Sequence, residues 1–200
     1  MLLFAAYEVY GKAYQVSADQ HRLNSDLDRQ WAVAVTPPSP KAKAPVVDST
    51  LPGRAIARLY IPKLDKRWVV VQGVTPKAIK LAPGHYEDSQ LPGQVGNFAV
   101  AGHRIPSIFW DLDKLRPGDT IVVETRTDWF VYAVLKNFIT KPTNVAVVSA
   151  NPQHPGQPAT DRMLTLTTCN PKWDNYQRMI VWAEQTRTQP QSVGKPAEAR

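Results

Sequence analysis

The chain has one cysteine, Cys169, at the end of the segment Thr165-Leu166-Thr167-Thr168-Cys169. Nine residues later comes Arg178, within Tyr176-Gln177-Arg178-Met179-Ile180-Val181. Sixty-six residues before the cysteine, the apolar run Asn97-Phe98-Ala99-Val100-Ala101-Gly102 ends at His103. A thiol, an imidazole and a guanidinium at the edges of strand-like segments are the parts of a cysteine acyltransferase. A thiolate attacks a carbonyl, an acid protonates the leaving amine, and a fixed cation holds the developing oxyanion. Singly, each residue has a plainer role. A lone Cys serves most often as a small buried hydrophobe, a lone His after an apolar run as a structural residue, and a strand Arg as the partner of a surface acid.

Taken together, Thr-Leu-x-Thr-Cys, the Arg nine residues on and Ala-Gly-His-Arg upstream resemble the sortase family of bacterial cell-surface transpeptidases. The resemblance runs from about Arg54 to Gln185. It implies that Cys169 is the nucleophile and that His103 protonates the leaving amine and later activates the incoming one. It assigns Arg178 to the oxyanion or the substrate backbone, a role that suits a planar, always-charged fork of donors. Pro83-Gly84-His85-Tyr86 resembles the turn before the histidine strand of class E sortases of actinobacteria. A Tyr at that place goes with a preference for Leu-Ala-x-Thr-Gly over Leu-Pro-x-Thr-Gly sorting signals, and Tyr86 matches it. Gly-His-Arg, the Thr-Cys-Asn-Pro context and the Trp173 loop also look like class E. Tyr86, Thr167 and Thr168 are the expected substrate-binding residues. In a regular strand Thr167 shares the face of Cys169 and Thr168 takes the other. Arg104 reads as a surface or supporting residue, and His21, His85 and His154 as poorer catalytic candidates.

The implied activity is cleavage between Thr and Gly through a thioacyl intermediate. The acyl group then passes to an amine of a peptidoglycan precursor of the lipid II kind. The implied partners are surface proteins bearing a sorting signal, that precursor, and the membrane through an N-terminal anchor. No cofactor or metal is expected. There is no His/Cys cluster at zinc spacing, and Glu87 and Asp88, the only acidic pair near the site, are too few for calcium. Two rivals stand beside this reading: a cysteine peptidase on the same fold, and a non-catalytic envelope scaffold. The intact Cys169, His103 and Arg178 speak against the scaffold.

These residues must be held by a domain of ordinary size. Two hundred residues, 43% hydrophobic with six Trp, suit one core plus flanks. Eighteen Pro point to β-structure with long connections rather than a helical bundle. The net charge of +7 is evenly spread, with no run of five Lys or Arg, so a nucleic-acid partner is not expected. A basic balance suits residence against an anionic envelope.

Four segments follow. Residues 1–31 read as a helix, with Val9, Val16 and Leu23 every seven residues and Leu23, Leu27 and Trp31 every four. Its apolar start, Met1–Tyr7, reads as the outer end of a membrane anchor. The rest reads as a stalk that packs on the domain, on another copy or on the membrane surface. Residues 32–53 form a Pro-rich linker, 54–186 the catalytic domain and 187–200 a disordered tail. Within the domain, strands are expected at Ala57–Ile61, Trp68–Gln72, Asn97–Gly102, Thr120–Thr125, Trp129–Phe138, Arg162–Cys169 and Gln177–Glu184. Short helices are expected from Thr75-Pro76 to Pro83 and from Pro106 to Leu115, and a long loop over 139–161. The chain is thus mostly β. The resemblance implies a sortase-like eight-stranded β-barrel with short helices, preceded by an N-terminal helix. It also implies a single-pass membrane location with the catalytic domain outside the cytoplasm.

Overall fold

The structure, a computed structural model, describes residues 12–33 and 53–199. The anchor reading of Met1–Tyr7 and nearly all of the proposed linker lie outside the described residues. Eight strands form a closed barrel: β1 (Ala55–Ile61), β2 (Lys66–Gln72), β3 (Gly84–His85), β4 (Gly96–Ala101), β5 (Thr120–Glu124), β6 (Asp128–Thr140), β7 (Arg162–Asn170) and β8 (Gln177–Pro190). Around the barrel they run β1-β2-β3-β4-β7-β8-β6-β5. The pairs β2–β3 and β4–β7 are parallel; the others are antiparallel.

Period-2 alternation decides what each strand turns inward. Ala57, Leu59 and Ile61 of β1, Phe98 and Val100 of β4, Leu164 and Leu166 of β7, and Met179, Val181 and Ala183 of β8 fill one core. The outer residues are covered in patches. Helix α1 (Lys12–Val33) lays Leu23, Leu27 and Trp31 on Ala55 and Val69. Gln20 adds a polar latch: its amide oxygen accepts from the Val69 N–H at 2.6 Å and its amide nitrogen donates to the Leu81 carbonyl at 3.3 Å. Of the three surfaces open to the stalk, it takes the domain. Burying Leu27 alone contributes about 1.5–3 kcal/mol. The 141–161 loop drops Val147 onto Met163, Ile180 and Trp182.

Three expectations need correction. The predicted helix before Pro83 is only a 3-10 turn, Ala78–Lys80. Few residues separate parallel strands β2 and β3, and so short a helix gains too little to offset its nucleation. The predicted helix over 106–115 is a series of turns with a 3-10 turn at Leu112–Lys114. Phe109, Leu112 and Leu115 bury as their spacing implied, but the Phe109 N–H bonds the His103 carbonyl at 3.1 Å instead of a helical partner. The expected disordered tail is ordered through residue 199. β8 continues to Pro190 along β6, Arg187 pairs with Glu198 at 2.7 Å, and Ala199 buries among Tyr60, Val122 and Trp129. Backbone pairing with β6 holds this polar segment, and hydrophobic pattern does not reveal backbone pairing.

Candidate active site

Cys169 is the next-to-last residue of β7. Because Leu164 and Leu166 face the core, Thr165, Thr167 and Cys169 face outward. Arg178 sits directly opposite Cys169 in the antiparallel β7–β8 pair. Residues so placed have Cβ atoms about 4.5–5.5 Å apart on one face. On the other side, β4 runs parallel to β7, with Ala101 opposite Thr167. The last bond of this pair runs from the Gly102 N–H to the Thr167 carbonyl at 3.0 Å, and His103 is the next residue, on the side of β7 away from Arg178. The strand carrying the thiol is thus flanked by one strand that delivers the imidazole and one that delivers the guanidinium. Gly102 permits this: a Cβ there would meet the Phe109 ring at 2.6 Å.

Cys169 is a free, partly accessible thiol. His103 is half-buried, and burial pushes its pKa below the ordinary imidazole value. Arg178 is braced from behind, its Nη1 donating to the Asn175 carbonyl at 2.7 Å and the Gln177 carbonyl at 2.8 Å. Its Nε and Nη2 have no partner among the described residues, so a fork of donors stays free beside Cys169.

Tyr86 reaches the same face. Its N–H donates to the Ala99 carbonyl at 3.0 Å, and its hydroxyl lies 3.1 Å from Thr167 Oγ1, two residues before the cysteine. Ser89 pins this turn, donating to the Tyr86 carbonyl at 2.8 Å and accepting from the Ala99 N–H at 3.1 Å. His85 is buried behind it, 2.9 Å from both Gln72 Oε1 and Ser89 Oγ. Burial lowers its pKa, so it is a neutral structural residue. Thr168 does not belong with the substrate-binding residues. It is 3% exposed, turned to the barrel interior by strand alternation, and its hydroxyl has no partner among the described residues. The site therefore gathers Cys169, His103, Arg178, Tyr86 and Thr167, and leaves Thr168 out.

Two further residues lie at the rim of this site. Trp173 is 82% exposed at φ 76°, a backbone region costly for a bulky residue, and stacks edge-on with Trp110 at 4.7 Å. Of the two roles expected for Arg104, the structure shows the supporting one: it is buried and touches the Cys169 backbone. Its place beside His103 was the pointer in the sequence.

The sortase domain family model matches residues 59–186. Sortase SrtE1 of Streptomyces coelicolor is 35% identical over 98% of this chain and 56% of its own length. This chain belongs to the sortase family, class E. Solved class E structures agree in fold with this sortase. Sortase E from Streptomyces avermitilis is 40% identical, covers 75% of this chain and 99% of its own, and superposes with a TM-score of 0.67. Sortase E1 from Streptomyces coelicolor, solved with a tripeptide in the active site, is 37% identical over 74% of this chain and 98% of its own, with a TM-score of 0.69. The sortase spans a little over half the length of the curated relatives it matches, 56% of SrtE1 and 57% of SrtE2. No helix among its described residues is long and apolar enough to cross a membrane.

Proposed function

We propose that this sortase is a cell-surface cysteine transpeptidase acting on a sorting signal of the Leu-Ala-x-Thr-Gly type. The observation that carries the reading is Arg178 directly opposite Cys169 on β8, with β4, the neighbour of β7 on its other side, running into His103. The Cys169 thiolate attacks the Thr carbonyl carbon. The free donors of Arg178 hold the oxygen as it gains charge. When the carbon–nitrogen bond breaks, His103 gives its proton to the departing Gly nitrogen. An incoming amine then attacks the thioacyl carbon, returns a proton to His103, and releases the Cys169 thiolate. A cell-wall precursor amine fits this second step.

Tyr86 and Thr167 form the wall for the second position of the signal. The related Sortase E1 holds a tripeptide in its active site, which supports a peptide bound beside Cys169 here. In this reading residues 1–31 are the end of a membrane anchor and its stalk, 32–53 a linker and 54–186 the catalytic domain. The packing of α1 on the barrel supports a domain held close to its anchor. Incubation with a Leu-Ala-x-Thr-Gly peptide, with and without an added amine, tests the activity by mass spectrometry. A thioacyl adduct on Cys169 and an amine-joined product are expected, and Cys169→Ala should give neither. Hydrolysis alone at saturating amine would favour the peptidase instead.

A further inference from the structure

The residues next in sequence to the three proposed functional groups are bonded to one another. Arg104 follows His103, Asn170 follows Cys169, and Gln177 precedes Arg178. Arg104 Nη1 donates to Asn170 Oδ1 at 2.6 Å and to the Cys169 carbonyl at 3.3 Å. Asn170 Nδ2 donates to Gln177 Oε1 at 2.9 Å. Arg104 Nη2 donates to Asp113 Oδ1 at 3.0 Å, and Lys172 Nζ closes on the same oxygen at 3.3 Å. The Asp113 segment is fastened in turn by Asn137, whose amide donates to the Leu115 carbonyl at 2.6 Å. Asn170 and Gln177 are register partners, so this chain of bonds runs across the strand ends just beyond the Cys169–Arg178 pair.

We propose that Arg104 is a positioning residue. Through Asn170 and the Cys169 carbonyl it locks the end of the nucleophile strand to the His103 loop on one side and the Arg178 strand on the other. The proposal rests on the transpeptidase reading of the site.

Stability is a poor account of this side chain. Its guanidinium is 5% exposed, and its buried Nε has no partner among the described residues. An orphaned buried donor is destabilising, and buried ion pairs often contribute no more than apolar residues of similar volume. Loss of Arg104 would not strand Asp113, whose carboxylate is 38% exposed and keeps Lys172. What the planar fork does supply is geometry. One group spans Asn170, the Cys169 carbonyl and Asp113, which a single ammonium nitrogen cannot reproduce. β4 ends at Ala101, so no ladder hydrogen bond holds His103 in register with Cys169. The clamp begins where the ladder stops.

The test compares Arg104→Met, Arg104→Lys and Asn170→Ala with wild type in thermal melts, peptide turnover, and amide hydrogen exchange at the ends of β7 and β8. Arg104→Met should melt cooperatively within a few degrees of wild type. Its kcat should fall by about 10²-fold with KM within about threefold, the pattern of reacting groups misplaced by an ångström or so. Backbone amides at the ends of β7 and β8 should exchange faster with solvent, because the clamp that ties them has gone. Arg104→Lys should not recover kcat. In a double-mutant cycle Arg104→Met and Asn170→Ala should lose less together than the product of their separate losses. A kcat within threefold of wild type in folded Arg104→Met overturns the proposal, as do fully multiplicative losses or full rescue of kcat by lysine. If Arg104→Met does not fold, Asn170→Ala decides: an unchanged kcat there also overturns it. If wild type turns over no peptide, the transpeptidase reading fails on its own, and amide exchange still decides the clamp: rates at the ends of β7 and β8 unchanged in Arg104→Met overturn it.

Discussion

Arg178→Lys separates charge from geometry at the oxyanion. The wild-type guanidinium divides its donors, with Nη1 held by the carbonyls of Asn175 and Gln177 at 2.7 and 2.8 Å. Nε and Nη2 remain for the substrate. A lysine has one nitrogen, so it can serve the loop carbonyls or the oxyanion, and its flexible stem fixes neither. Keeping the loop contact forfeits the oxyanion donor, a loss of about 10²–10³ in kcat. KM should move little, because the donor matters most once negative charge has developed. Stability should fall by only about 1 kcal/mol, since one part-exposed hydrogen bond is lost, or about 2–4 °C in Tm for a domain of this size. Steady-state cleavage of the Leu-Ala-x-Thr-Gly peptide, alongside a thermal melt, measures both. A kcat within about threefold of wild type would refute the assignment and move the oxyanion to backbone N–H groups. A large Tm loss with an unchanged kcat would make Arg178 a loop brace and nothing more.

Three further outcomes are expected. Tyr86→Phe removes the 3.1 Å contact to Thr167 and should shrink the kcat/KM ratio between Leu-Ala-x-Thr-Gly and Leu-Pro-x-Thr-Gly peptides by about two- to tenfold, one neutral hydrogen bond; an unchanged ratio demotes Tyr86 to packing. Burial holds His103 and His85 below the ordinary imidazole pKa, so as pH falls protons bind the unfolded chain first. Stability is therefore full above about pH 6.5 and declines from there down through the folded-state values. His103→Gln should flatten Tm against pH between about 7.5 and 5, and an identical slope removes His103 from that account. Thr168→Val replaces a buried hydroxyl that has no partner among the described residues with a methyl, and should raise stability by up to about 1 kcal/mol in urea unfolding; a clear loss would reveal a hydroxyl partner at that site.

Seven of the eight strands, and the pairing of Cys169 with Arg178, were legible in the sequence. Both rest on local rules. Alternation marks a strand, and two strands joined by a short turn pair antiparallel, which sets a thiol and a guanidinium nine residues apart face to face. The split of Thr167 and Thr168 to opposite faces follows from the same period. β3 escaped because two residues, Gly84 and His85, carry no pattern. The approach of His103 to Cys169 depends on the parallel β4–β7 pair, whose strands are separated by the whole β5–β6 hairpin. No local pattern encodes such a pairing; it exists only once the barrel closes. The Arg104 chain lies deeper still. A buried guanidinium looks in sequence like any surface arginine, because its burial is set by Asn170, Gln177 and Asp113, which three different segments bring together. Spacing determined which residues could do the chemistry. Closure of the barrel decided which of them meet, because the contacts that align them join segments far apart in the chain.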